Sequence, residues 1–246
     1  LFETSMEEEK YKELKQRLVE NNLPGGICAL FYGDPGTGKT ESVMQIARKT
    51  NRDVMHVDIA ETKSCWFGES EKLIKKVFVN YKEACQTARR ENRPIPILLF
   101  NEADAIISKR QTLGTENRGP GQTENAIQNI ILENLESFDG IMIATTNLAD
   151  NFDKAFERRF LFKIKFNKAS AEISSKIWMN KLSKLSENQA YELAGTYSFS
   201  GGEIDNISRK IIMNEIITGE QTGFEEIKTF CRQEKLESAE SRRIGF

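Results

Sequence analysis

Gly33-Asp34-Pro35-Gly36-Thr37-Gly38-Lys39-Thr40 decides the reading of this 246-residue chain. A short apolar run, Ile27–Tyr32, leads into it, and a helical pattern from Lys39 to about Lys49 leads out. The spacing Gly33-x-x-x-x-Gly38-Lys39-Thr40 is the Walker A pattern in full, set between a strand and a helix as its mechanism requires. Glycines let the backbone wrap a row of phosphates without Cβ clashes. The amides then point inward, and the helix that follows adds the positive end of its dipole. The pattern implies that Asp34, Pro35, Gly36, Thr37, Gly38, Lys39, Thr40 and Glu41 line a nucleoside triphosphate. Lys39 neutralises its β and γ oxygens, and Thr40 presents a hydroxyl to Mg²⁺.

Working outward, residues 5–21 are charged with apolar positions at Tyr11, Leu14 and Leu18, a surface helix. Strands are expected at 54–57, 95–100, 141–145 and 161–166. A helix over 69–90 carries Leu73, Ile74, Val77, Phe78, Tyr81 and Ala84 at helical spacing, and another helix covers 124–135. The polar, Gly-rich stretch 109–122 reads as an exposed loop. Strands alternating with helices predict an α/β fold, a parallel sheet sandwiched by helices as in P-loop nucleotide-binding proteins. Beyond Phe166 the character changes. Helices are expected at 170–184, 187–195, 201–217 and 223–236 with no strand between them, an all-helical subdomain. The expected organisation is a lead-in helix (1–21), an α/β nucleotide-binding subdomain (22–167), a helical lid (168–237) and a charged tail (238–246).

Composition narrows the function classes. Lys+Arg number 35 and Asp+Glu 37, giving a formal net charge of −2, which argues against a general nucleic-acid binder. No apolar run approaches the ~20 residues that span a bilayer, and no signal peptide is present, so a cytoplasmic protein is expected. A start at Leu1 rather than Met suits an excerpt of a longer protein. The cysteines Cys28, Cys65, Cys85 and Cys231 are scattered and read as reduced thiols. His56 is the single histidine, which excludes a His-Glu-x-x-His metalloprotease site.

Phosphoryl transfer needs a second strand that ends beside the loop and carries acids. Ile97-Leu98-Leu99-Phe100-Asn101-Glu102-Ala103-Asp104 is the candidate. Glu102 is placed to activate water for attack on the γ-phosphate. Asn101 stands where an aspartate is expected to hold Mg²⁺; it keeps the shape and an acceptor oxygen but not the charge. Either Asn101 serves as an outer ligand, or the chain binds nucleotide and hydrolyses it poorly.

With these landmarks in order, the chain resembles the AAA+ ATPases over roughly residues 20–235, within the group that contains hexameric protein unfoldases and remodellers. The resemblance implies the following roles. Asn147, in Ala144-Thr145-Thr146-Asn147, is the sensor that bonds the γ-phosphate or the attacking water. Asp153-Lys154-Ala155-Phe156-Glu157-Arg158-Arg159-Phe160 carries an arginine finger that reaches a neighbouring subunit's site, with Arg159 the first choice and Arg158 the second. Phe162 stands where many relatives have a further arginine. Trp66-Phe67-Gly68 resembles the pore loop that grips an unfolded chain. Ser200-Gly201-Gly202-Glu203 resembles a lid helix start, with Gly202 and Ile177 near the nucleotide; Arg209 is not assigned. The implied protein uses ATP and Mg²⁺, forms a homo-oligomeric ring, and acts on protein substrates, coupling hydrolysis to motion of lid and core. Two other readings remain open. One is a nucleotide-gated assembly scaffold with weak hydrolysis. The other is DNA-directed machinery, against which the balanced charge and the Trp66-Phe67 step count.

Overall fold

The computed structural model describes residues 1–58, 69–107, 120–148 and 153–240. Two compact units emerge, Leu1–Gly33 with Lys39–Phe166, and Asp34–Gly38 with Asn167–Phe246. The first is built on β1 (Ile27–Gly33), β2 (Val54–Asp58), β3 (Ile97–Asn101), β4 (Ile141–Thr146) and β5 (Phe162–Phe166). These five strands pair in parallel in the order β2-β3-β4-β1-β5.

Every residue of β4 is buried, as are the first four of β3 and the first five of β1. Successive strand side chains point to opposite faces, so unbroken burial requires cover on both. The helices of this unit are α1 (Phe2–Ser5), α2 (Glu8–Glu20), α3 (Lys39–Lys49), α4 (Glu69–Arg90), α5 (Asp104–Ile107), α6 (Pro120–Glu136) and α7 (Lys154–Glu157). Val43, Ile74, Phe78, Ile131 and Phe156 carry them into one core with the strands. The edge strand β5 instead alternates half-buried residues with exposed Lys163 and Lys165. Charges on an edge discourage further pairing.

Some element limits differ from expectation for identifiable reasons. β3 starts at Ile97, not at residue 95. Pro96 has no N–H to give a ladder, which opens with the Ile97 amide on the Asp53 carbonyl at 2.8 Å. α6 starts at Pro120, four residues earlier than expected, so part of the stretch taken as loop 109–122 is helical. Proline suits a first helical position, where its missing N–H costs nothing. Residues 108–119 lie outside the described residues. One-turn α5 and α7 are too short to show a period.

Three helices leave by the same device. Asn22, Asn51 and Asn92 have φ of 56°, 51° and 53°. The next residues, Leu23, Arg52 and Arg93, donate their amides to the carbonyls of Leu18, Ala47 and Ala88. Each is a left-handed cap that satisfies a terminal carbonyl, with asparagine in the place glycine usually takes.

Arg52, just past one of these caps, ties the N-terminal residues to the sheet. Its side chain is fully buried. It donates to the Met6 carbonyl (3.2 and 3.1 Å), the Ile95 carbonyl (2.9 Å) and the Glu8 carboxylate (2.7 Å). The guanidinium also lies 5.1 Å from the centroid of the Tyr11 ring. Phe2 meets Phe31 and Phe162 edge-on, with centroids 5.5 and 5.2 Å away. Residues 1–20, expected as a lead-in, are thereby part of the first unit.

The second unit packs α8 (Ala171–Lys181), α9 (Glu187–Thr196), α10 (Gly201–Thr218) and α11 (Phe224–Glu240) around Trp178, Leu193, Ile204, Ile207 and Ile227. Ser170, Ser186 and Ser200 cap α8, α9 and α10, the last two in full capping boxes with Gln189 and Glu203. α11 runs to Glu240, past residue 236 where its apolar spacing stops. Among the described residues no helix is long and apolar enough to cross a membrane. Cys28, Cys85 and Cys231 are buried and free, and burial pushes the Cys28 and Cys231 thiols up to about 12. Cys65 lies outside the described residues.

Arg52→Leu should therefore cost about 3 kcal/mol, because two buried carbonyls and Glu8 lose their partner. Urea denaturation checks this. A midpoint equal to that of the parent chain would show that Arg52 is not the tie.

Candidate nucleotide-binding site

β3, β4 and β1 are neighbours, so their C-terminal ends emerge side by side, bringing Asn101, Thr146 and Gly33 to one edge of the sheet. Gly33 has φ +145° and pairs with Phe166. A Cβ there would sit 2.1 Å from the Phe166 carbonyl oxygen, so no other residue fits. Lys39 and Thr40 open α3 beside these ends.

Lys39 is buried, and its Nζ donates to the Gly33 carbonyl at 2.8 Å and to Asn147 Oδ1 at 2.9 Å. Thr40 Oγ1 donates to Asn101 Oδ1 at 2.8 Å. Thr145 Oγ1 donates to the same oxygen at 2.9 Å and accepts the Glu102 amide at 3.1 Å. The Thr145 carbonyl takes the Ala103 amide at 2.8 Å. The chain leaves β3 through Glu102, whose φ of 51° is left-handed, a conformation uncommon for a residue of this size. The two bonds to Thr145 hold that turn and leave Glu102 exposed at the strand end. Such strain concentrates at sites where the surroundings over-determine it.

Asp104, at the start of α5, accepts from the Thr146 hydroxyl and, at 2.9 Å, from the Asn147 amide. It thus fixes the backbone that presents Asn147 toward Lys39. Thr145, Thr146 and Asp104 carry no assigned role in the sequence reading. Their signal was their place within the Asn101–Asp104 and Ala144–Asn147 stretches, but which hydroxyl meets which strand depends on strand order.

The Asp153 carboxylate caps α7 by accepting the Ala155 amide at 2.7 Å, and its own amide donates to the Ile107 carbonyl at 2.9 Å. The arginine-bearing segment is therefore tied to the end of α5. Arg159 is partly buried. It bonds the Ala155 carbonyl at 2.8 Å and pairs with Glu136, whereas Arg158 is exposed. The Glu41 carboxylate lies along α3, 3.3 Å from Gln45 and from Arg48.

Residues Asp34–Gly38 group with the helical unit. Thr37 Oγ1 donates to the Asp34 carbonyl at 2.8 Å. Gly36, with φ +71°, gives its carbonyl to the Gly202 amide at 3.2 Å, and a Cβ on it would lie 2.6 Å from Ser200 Oγ. Ile177 is half-buried against the second core, and Arg209 is exposed. Trp66 and Phe67 lie outside the described residues.

A parallel sheet in which β1 runs into a glycine-rich phosphate-loop sequence and the buried Lys39, with Glu102 and Asp104 at the end of β3, one strand beyond β4, is the arrangement of a nucleotide-binding ATPase. Residues 29–168 match the ATPase family associated with various cellular activities, AAA, and the chain belongs to that family. It is similar to a proteasome-activating nucleotidase of Saccharolobus solfataricus, 28% identical over 245 residues, covering 89% of this chain and 56% of that protein. Vacuolar protein sorting-associated protein 4 of Dictyostelium discoideum is 26% identical over 214 residues, 83% of this chain and 45% of that protein. Fidgetin-like protein 1 of Drosophila melanogaster is 28% identical over 191 residues, 76% and 34% respectively. The chain spans about half the length or less of these relatives.

Thr145→Val keeps the side-chain volume but removes the hydroxyl shared by Asn101 and Glu102. Turnover should fall ~10-fold or more, the worth of ~1.4 kcal/mol, while nucleotide affinity changes little. Steady-state hydrolysis alongside equilibrium binding of a fluorescent ATP analogue separates the two. A parallel loss of affinity would place Thr145 in binding instead.

Proposed function

We propose that this chain hydrolyses ATP with Mg²⁺ in a ring of like subunits, six by resemblance to its group, and uses the energy to remodel or unfold proteins. The observation that carries the ATPase part is the convergence of Lys39 on Asn147 with Thr40 on Asn101. The phosphate-loop lysine and the metal-side hydroxyl, both following β1, meet the sensor amide from β4 and Asn101 from β3.

The chain's own groups divide the work. Lys39, already stripped of water, meets phosphate oxygens without further desolvation. Asn147 holds the attacking water or the γ-phosphate. Glu102 accepts the proton of that water. The single proton of Thr40 is committed to Asn101, so its oxygen lone pairs would be available to a cation, and Thr40 and Asn101 are the residues that would hold it. This donor set suits Mg²⁺, which keeps several waters and needs few protein ligands. When bound there, Mg²⁺ neutralises charge on the phosphate oxygens.

The protein-directed part is supported by the Trp66-Phe67-Gly68 step and by relatives named for proteasome activation and protein sorting. A broad flat apolar pair grips any chain regardless of sequence. The ring reading is supported by the resemblance of Asp153–Phe160, with Arg158 and Arg159 after α7, to the segment that serves a neighbouring subunit's site. Trp66→Ala should abolish unfolding of a tagged protein substrate while ATP hydrolysis persists. If unfolding persists too, the threading reading fails. Mass in solution should rise to a closed ring on adding ATP, and a monomer under both conditions would sink the ring.

A second reading, a nucleotide-gated assembly with slow turnover, is favoured by one observation: the acceptor for Thr40 and Thr145 is a neutral amide oxygen. The hydrolytic reading expects Asn101→Asp to change turnover by less than ~10-fold, since one outer contact is worth about 1 kcal/mol. Near-zero hydrolysis that the aspartate restores would support the gated assembly instead.

A further inference from the structure

β5 is the outer strand beyond β1, and among the described residues nothing pairs with its far side. Alternate amides and carbonyls of a strand face opposite edges, so part of its backbone is open to a further strand. Beside that edge runs a groove of about 680 Å³, within the range of ~300–1,000 Å³ that holds ligands. Its floor is apolar: Phe31, Ile46, Phe162, Ile164 and Phe166. Phe31 is fully buried, but Ile46 and the three residues of β5 are covered only in part. The groove lies on the face that α3 shares, where Lys49 lines it and pairs with Glu3 at 2.6 Å. The other face of β5 carries exposed Lys163 and Lys165. Lys163 pairs with Glu157 at 3.2 Å, whereas Lys165 engages no acid among the described residues. None of the nucleotide-site residues named above lines the groove.

We propose that β5 takes up an extended segment of another protein as a further strand, and that this segment alternates apolar with acidic residues. Strand addition draws affinity from main-chain hydrogen bonds and specificity from alternate side chains. The side chains of an added strand alternate in step with those of β5. One set therefore lies over the groove, where apolar groups cover half-buried Ile164 and its neighbours. The other set lies beside Lys163 and Lys165, where carboxylates are attracted and further cations are repelled. The same lysines turn away a second copy of β5, which would set lysine against lysine. An edge that refuses like strands in this way still accepts one of opposite charge, so the lysines select a partner as well as block the wrong one. The five residues of β5 span about 17 Å, and a segment of about seven residues covers them with one to spare at each end.

The probe is the fluorescent peptide Glu-Val-Glu-Val-Glu-Val-Glu, titrated into the full chain and followed by anisotropy. It should bind. The same peptide with lysine for glutamate, or with serine for valine, should bind at least ~10-fold more weakly. Lys165→Glu should reverse the preference between the glutamate and lysine peptides while ATP turnover stays that of the parent chain. Methylated peptide amides separate strand addition from plain charge attraction. Methyl groups on one alternating set of amides should abolish binding and on the other set should be tolerated, since only one edge of the peptide faces β5. The proposal is overturned if both methylated peptides bind alike, if Lys165→Glu leaves the preference unchanged, or if the glutamate peptide fails to bind. A dimer of the chain alone that Lys165→Glu dissolves would give the edge to a second copy and overturn it too.

Discussion

The whole site depends on burial of three adjacent strands on both faces. β1, β3 and β4 have almost no place for a polar side chain until they leave the sheet, because each inner residue faces a covering layer. Polar groups are therefore pushed to the strand ends. Parallel neighbours lie about 4.8 Å apart, so the ends of adjacent strands deliver their first polar residues to one place. Gly33, Asn101 and Thr145-Thr146 meet for that reason. A slip of one residue in any strand would turn its polar end into the core, so the apolar runs fix the site's register as firmly as its position.

Within that frame, two hydroxyls and one carboxylate order the reactive groups. Thr145 is inside β4, yet its hydroxyl serves β3, joining Asn101 to the turn at Glu102. Asp104 works in the opposite direction, from the β3 side back onto the end of β4. The reciprocal crossing ties the two strand ends to each other, and linked hydrogen bonds reinforce one another. Asn101 fits this scheme because the scheme uses only its acceptor oxygen. What an aspartate would add is charge, felt by a cation rather than by the protein's own hydroxyls.

Much of the fold was legible because its signals are local. The apolar runs at 27–32, 97–100 and 141–145, the helical spacing of 69–90, and the helix start at Ser200-Gly201-Gly202-Glu203 depend on nearest neighbours along the chain. The Walker A glycines and lysine were legible for the same reason. The short helices α5 and α7, the proline that delays β3 and the reach of α6 back to Pro120 were not, since one turn carries no period and end effects depend on what packs alongside. The tie at Arg52 left no trace either. An arginine between Asn51 and Asp53 looks like surface, and only the approach of Met6 and Ile95 buries it.

By itself the sequence determined the sheet, the phosphate loop, the family, and the residue types available for chemistry, because each is written in spacing along a continuous stretch. The tertiary structure alone decided which groups meet. Lys39 and Asn147 stand 108 positions apart in the chain, and Thr40 and Asn101 stand 61 apart, yet each pair is within hydrogen-bonding distance. The two arginines make the same point from the other side: adjacent in sequence and alike in chemistry, they differ because the Ala155 carbonyl and Glu136 engage only Arg159. Partner choice is a property of strand order and helix packing, which no local pattern encodes.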